Sequence, residues 1–277
     1  MGKTLNNMYR YFLVALLFFT LNTFSQTTVD PELDSPYELN WAVDGPYLGA
    51  SIGLNVLGFR LIQEKDPLTI EDLQTLSKND VFAIDRWAAG NVSPEADELS
   101  YIPFYGSFAL PILLLLNENE RSHAGQISVL FVESMATAGA LFTISAGAIH
   151  RSRPLVYNED LPVEERIEND AQRSFFAGHV AATGAATFFF AKVFSDFNPD
   201  SWATPYIWAV AAIVPAWVGY LRIESGKHFL TDTLLGYGVG ALSGILIPEL
   251  HKKGNENLSV NPSFGSHYKG ISINYVF

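Results

Sequence analysis

The sequence predicts an all-α fold, a membrane-associated bundle of about six core helices followed by a short C-terminal β-hairpin. Three observations predict it. The chain is 48% hydrophobic and only 17% charged, with a mean hydropathy of +0.15, a balance nearer membrane-embedded helical proteins than ordinary soluble domains. Apolar segments of helical length recur through the middle, with Gly and Ala spaced so that helices can approach closely. Near the end, Ile271-Ser272-Ile273-Asn274-Tyr275 alternates, and the stretch from Ser263 to Gly270 offers turn chemistry.

Residues 1–25 read as a secretory signal. Lys3 and Arg10 precede the apolar run Tyr11 to Leu21, and small residues Thr23 and Ser25 suit cleavage near Ser25–Gln26. Residues 26–44 are polar and acidic, with Pro31 and Pro36, and read as an extended lead-in. A helical domain is expected over 45–249, beginning with a glycine-containing apolar segment at 45–63 that Arg60 interrupts. A mixed stretch follows at 64–101, in which Asp85-Arg86-Trp87 reads as a structural group. Further apolar segments lie at 102–116, 124–149, 179–194, 203–221 and 229–249. The segment 203–221 lacks charge and is the best transmembrane candidate. Glu133 and Asp232 lie inside two others, where an ionisable group needs a functional reason or a soluble context. The polar loop 150–178 has Arg and His at its rims, as an active-site loop would. Residues 250–277 form a tail carrying the hairpin. His123, His251 and His267 stand in polar contexts and are expected to be solvated.

The net charge of −12 argues against nucleic-acid binding. The absence of cysteine excludes disulfides, thiolate metal sites and cysteine nucleophiles.

Against that acidic background, five residues flank the apolar segments in a pattern suited to phosphate chemistry. His228 and Asp232 are four apart, so on a helix they share a face and the carboxylate can orient the imidazole. A ring nitrogen is then left as nucleophile. Gly178-His179 opens another apolar segment, where backbone N–H groups can cradle a phosphate and a second imidazole can protonate a leaving oxygen. Arg153 and Arg222 supply planar forks for phosphoryl oxygens.

Arg153-Pro154, Gly178-His179 and Arg222-x5-His228-x3-Asp232 resemble the three motifs of the type 2 phosphatidic acid phosphatase and vanadium haloperoxidase superfamily. The family patterns are Lys-x6-Arg-Pro, Pro-Ser-Gly-His and Ser-Arg-x5-His-x3-Asp. The resemblance implies that His228 forms a phosphohistidine, Asp232 orients it and His179 is the general acid, while Arg153, Arg222 and the Gly178 backbone bind phosphate. It implies a metal-independent, cofactor-free hydrolase of the acid-phosphatase type. Its substrates would be phosphate monoesters or diphosphates, lipid-linked given the neighbouring apolar helices. Departures fall at Ala146 for the Lys, at Phe176-Ala177 for the Pro-Ser, and at Leu221 for the Ser. Arg151, Arg173 and Lys227 are candidates for the missing cation. Two alternatives stand beside hydrolysis: a degenerate, non-catalytic phosphate-binding relative, and a vanadate-dependent haloperoxidase. The expected location is the cell envelope, at the membrane with the site facing the periplasm.

Overall fold

The computed structural model describes residues 34–254, 258–264 and 269–275. The signal expected over 1–25, and His267, lie outside the described residues. Six helices of fourteen or more residues are present among the described residues: α1 (Trp41–Gln63), α3 (Pro94–Ser107), α6 (Ala124–Ala148), α8 (Gly178–Phe197), α9 (Thr204–Glu224) and α10 (Leu230–Leu250). Shorter helices α2 (Ile70–Thr75), α4 (Leu110–Leu114), α5 (Glu118–Ser122) and α7 (Val163–Arg166) connect them. Strands β1 (Leu258–Phe264) and β2 (Lys269–Tyr275) pair antiparallel, with Val260 opposite Ile273.

Local chemistry moves two of the expected boundaries. The extended lead-in gives way to α1 at Trp41, because Asn40 caps it. The Asn40 side chain accepts from the Ala42 N–H, and Asp44 accepts from the Asn40 N–H at 2.7 Å. The apolar run 102–116 is divided between α3 and α4. Helix α3 starts earlier, in the acidic stretch, where Ser93 caps the Ala96 N–H and Pro94 sits in the first turn. Acidic residues in that first turn suit the positive end of the helix dipole.

Small residues set the packing. In α10, Gly236, Gly240 and Gly244 lie against the carbonyls of Ala177, Ala181 and Ala185 at the start of α8. A β-carbon at Gly236 would stand 2.5 Å from the Ala177 oxygen. The four-residue repeat on both helices lets their backbones touch along one seam. Gly58 meets Thr143, and Gly147 meets Leu61, in the same way between α1 and α6.

Helices α6, α9 and α10 are long and apolar enough to cross a membrane. On α9, Tyr206, Val210, Ile213, Trp217 and Tyr220 form one exposed apolar stripe at helical spacing. Such a face would be costly in water and matches a lipid surface. These features support membrane association.

One expectation is corrected at the end of α10. His251 is mostly buried between Asp44 and Glu133, because α10 ends at Leu250 beside the residues leading into α1, where the Glu38 N–H donates to the His251 carbonyl at 2.8 Å.

Candidate active site

The rims of the 150–178 loop are joined by backbone pairing. The Arg153 N–H donates to Ala171 at 2.8 Å, Ser174 to Arg151 at 3.1 Å, and Leu155 to Gly226 at 3.0 Å. Gly226 adopts a φ of +71°, and a side chain there would collide with the Asn91 carbonyl. The turn it makes folds His228 back toward Arg222, whose carbonyl accepts from the His228 N–H at 3.2 Å. Arg153, Arg222, His228 and Asp232 are thereby gathered where α9 ends and α10 begins, and the start of α8 brings His179 alongside. All four of the first group are buried.

His228 is 3% exposed, and its Nδ1 lies 2.6 Å from the Ser174 carbonyl oxygen. A carbonyl only accepts, so Nδ1 carries the proton and Nε2 holds the lone pair. Burial, then the charges of Arg222 and Arg153, hold the imidazole well below the ordinary histidine range. His228 is therefore neutral at neutral pH, with its ring oriented by the Ser174 carbonyl and the Nε2 lone pair free.

Asp232 acts at one remove from where the spacing placed it. Its carboxylate accepts from the Ser174 hydroxyl at 2.6 Å, from the Phe229 N–H at 2.9 Å, and from Arg151. The structure thus routes Asp232 to His228 through Ser174, whose hydroxyl it holds while the Ser174 carbonyl holds the ring. The physical reason is helix geometry. Asp232 closes the first turn of α10 as a cap on Phe229, which turns its carboxylate away from the preceding imidazole. Arg151, a candidate for the missing phosphate cation, is spent here. It bridges Asp232 and Asp85, and its guanidinium lies 4.9 Å over the Phe229 ring. Asp85 is fully buried and caps α10 through the Thr231 N–H at 2.9 Å and the Thr231 hydroxyl at 2.6 Å.

Among the predicted site residues, Arg153 Nε, Arg222 Nε and His179 Nε2 are buried without a hydrogen-bond partner. Buried donors of this kind call for a ligand. The His179 ring packs against Phe104, with centroids 4.3 Å apart, and edge-on to Tyr101 at 5.1 Å. The α8 N-terminus has no side-chain cap, so its first-turn amides face the same place. Gly178 is needed at that start, since a β-carbon would stand 2.7 Å from the Phe142 ring. One terminal nitrogen of each arginine is held by a carboxylate, Arg222 Nη1 by Asp97 and Arg153 Nη1 by Asp170. Burial raises the Asp170 carboxyl, but the charges of Arg153 and Lys227 and the Arg153 hydrogen bond more than offset it, leaving it below the ordinary carboxylate range.

Ala146 is fully buried, and a lysine from elsewhere reaches its carbonyl. Lys65, just after α1, donates to the carbonyls of Ala146, Ile149 and Gln172 at 2.7, 2.6 and 2.9 Å. Burial, then the neighbouring Arg173 and Arg153 charges, lower its ammonium to about 8. A cation thus lies beside the backbone of the position that lacks the family lysine, with its protons on three carbonyls and its charge felt alongside Arg153. Sequence reading missed the places of Lys65, Asp85 (read only as part of a structural group), Asp97, Asp170 and Ser174. The first four are ordinary charged residues in polar stretches, and their partners lie up to 146 positions away. Ser174 had a local signal, a hydroxyl shortly before Gly178-His179.

The model of the PAP2 superfamily matches residues 128–256, a span that contains His179, Arg153, Arg222, His228 and Asp232. No curated protein matches the chain. Among solved structures, the chain is similar to a transmembrane PAP2-type phosphatidylglycerolphosphate phosphatase from Bacillus subtilis. The identity is 18% and the TM-score 0.44, covering 71% of this chain and 93% of that one. It is also similar to LpxE of Aquifex aeolicus, with 22% identity and a TM-score of 0.42, covering 65% of this chain and 98% of that one.

Proposed function

We propose that the chain, whose residues 128–256 match the model of the PAP2 superfamily, is a lipid phosphate phosphatase working through a phosphohistidine on His228. The observation that carries the reading is the state of His228. It is neutral, with Nδ1–H fixed on the Ser174 carbonyl, and it lies within electrostatic reach of Arg222, Arg153 and His179, each of which has a buried nitrogen without a hydrogen-bond partner.

In the first step, His228 Nε2 attacks phosphorus and the bond to the alcohol oxygen breaks, while His179, which burial and the Arg222 and Arg153 charges otherwise hold well below the ordinary histidine range, takes up a proton as the phosphate dianion binds and delivers it to that oxygen. Arg153 and Arg222 stabilise the charge gathering on the phosphoryl oxygens. In the second step, water attacks the phosphohistidine, His179 takes its proton, and inorganic phosphate leaves. Lys65 adds positive charge where the family lysine is absent, which favours an active enzyme over a degenerate phosphate binder.

A lipid substrate is supported by an apolar groove of about 590 Å³, lined in part by Pro103, Gly106, Thr187, Phe190, Tyr206 and Val210. Thr187 lies two turns along α8 from His179, about 12 Å, so an acyl chain can follow α3 and α8 while its phosphate sits at the arginines. Phosphate release from dioleoyl phosphatidic acid and from glycerol 3-phosphate tests the reading. The lipid is expected to be turned over at least about tenfold faster at equal concentration. Nothing stands within 4 Å of a β-carbon at Gly106, so Gly106→Leu should lower the lipid rate several-fold and spare the soluble ester. No phosphate from either substrate, or a rate unchanged by His228→Ala, would overturn it.

A further inference from the structure

A second cluster of ionisable side chains lies at the opposite end of the bundle. From Asp232 to His251 along α10 is about 28 Å. There Asp44 of α1, Glu133 of α6 and His251 after α10 bring one ligand atom each within 4.8 Å of one another. His251 Nε2 is 3.2 Å from Asp44 Oδ1 and 3.4 Å from Glu133 Oε2. Ligands about 2.0–2.1 Å from a tetrahedral zinc stand roughly 3.3–3.4 Å apart, which the two distances from His251 match.

The hydrogen bonds around the three groups point the same way. His251 Nδ1 lies 2.7 Å from the Ile247 carbonyl, so its proton is donated there and Nε2 turns its lone pair toward the two carboxylates. A backbone acceptor on the far nitrogen is the usual second partner of a metal-bound imidazole. Asp44 uses its other oxygen to accept from the Asn40 N–H at 2.7 Å, which fixes its orientation. Glu133 is 0% exposed, and neither of its carboxylate oxygens has a hydrogen-bond partner. An unpaired carboxylate buried inside an apolar helix carries a large desolvation cost. A proton on Nε2 would leave this buried trio with one net negative charge. A divalent cation brings it to neutrality and gives Glu133 the partner it lacks.

We propose that Asp44, Glu133 and His251 form a binding site for a divalent cation of the zinc class, which ties the start of α1 and the end of α10 to the middle of α6. Two carboxylates and one imidazole suit zinc better than magnesium, which prefers an all-oxygen octahedron. Three protein ligands leave one position for water, and the His251 side chain is 14% exposed. The role is structural and separate from the phosphate site.

Zinc titration of tag-free, EDTA-stripped protein in detergent tests the proposal. Wild type is expected to take up one equivalent of Zn2+, with a thermal midpoint raised by about 5–10 °C at a hundredfold excess over Kd. Glu133→Gln and His251→Gln should lose both the equivalent and the shift while keeping phosphate release, and His228→Ala should keep both. Zinc binding that survives Glu133→Gln and His251→Gln overturns the proposal. So does a wild-type midpoint that zinc leaves in place, a measurement that decides the matter even if a variant does not fold.

Discussion

Replacing Gly236 by alanine puts the seam between α8 and α10 to a direct test. The new β-carbon would stand 2.5 Å from the Ala177 carbonyl oxygen, about 1 Å short of ordinary contact. The neighbour is backbone, so no rotamer change relieves it, and the start of α8 must move away from α10 by roughly that amount. Overpacking of this kind costs about 1–3 kcal/mol, which in a domain of this size lowers the thermal midpoint by about 2–12 °C. The larger effect falls on activity. Ala177 immediately precedes Gly178 and His179, while Gly236 lies one turn past Asp232 on the helix that His228 leads into. A separation of about 1 Å between the general acid and the nucleophile can cost about a hundredfold in rate. Gly238→Ala is the control: it sits on the same helix with nothing within 4 Å of its β-carbon. It should be neutral in rate and neutral or stabilising by about 0.5–1 kcal/mol. Phosphate release and thermal unfolding of the two variants, side by side, give the comparison. Equal rates in Gly236→Ala and Gly238→Ala would refute the reasoning that this seam sets the site.

Two further outcomes are expected. Arg151→Leu strips the shared cation from Asp85 and Asp232, both 0% exposed, and should cost about 3–5 kcal/mol of stability; a thermal midpoint within 2 °C or so of wild type would show that the network is not what holds the loop to α10. Lys65→Met leaves the carbonyls of Ala146, Ile149 and Gln172 without their donor and removes a charge beside Arg153, so kcat/KM should fall about tenfold or more. The pH dependence gives the sign: Lys65 is charged below about 8 and loses its proton above it, so wild-type activity should decline as pH rises through about 8, and Lys65→Met should lack that limb.

The sequence carried the fold where a signal was local. The chargeless run at 203–221 gave α9, and the alternation at 271–275 gave a strand of the hairpin. Arg222-x5-His228-x3-Asp232 spans the junction of α9 and α10, between the apolar segments expected at 203–221 and 229–249. The concealed parts depended on pairing across the chain. Helix α3 starts inside a charged stretch because a capping serine and a first-turn proline outweigh low hydrophobicity. Ala146 read as the loss of a cation, and no pattern in the sequence shows that Lys65, 81 residues earlier, reaches the same carbonyl. Asp232 looked like a direct partner of His228 because the four-residue spacing puts both on one helix face. His228, however, precedes the helix, and the first-turn cap claims the carboxylate. His251 read as solvated because its sequence neighbours are polar, while its spatial neighbours, Asp44 and Glu133, come from two other helices.

The central claim is that His228 Nε2 takes the phosphoryl group. Phosphorus-labelled p-nitrophenyl phosphate, whose leaving group needs no general acid, allows the His179→Ala protein to form the intermediate while its hydrolysis is slowed. Rapid quenching in alkali should trap label on the protein that is stable to base and labile to acid, and peptide mapping should place it on His228. An absence of protein-bound label during turnover, or label that persists in His228→Ala, would contradict the account.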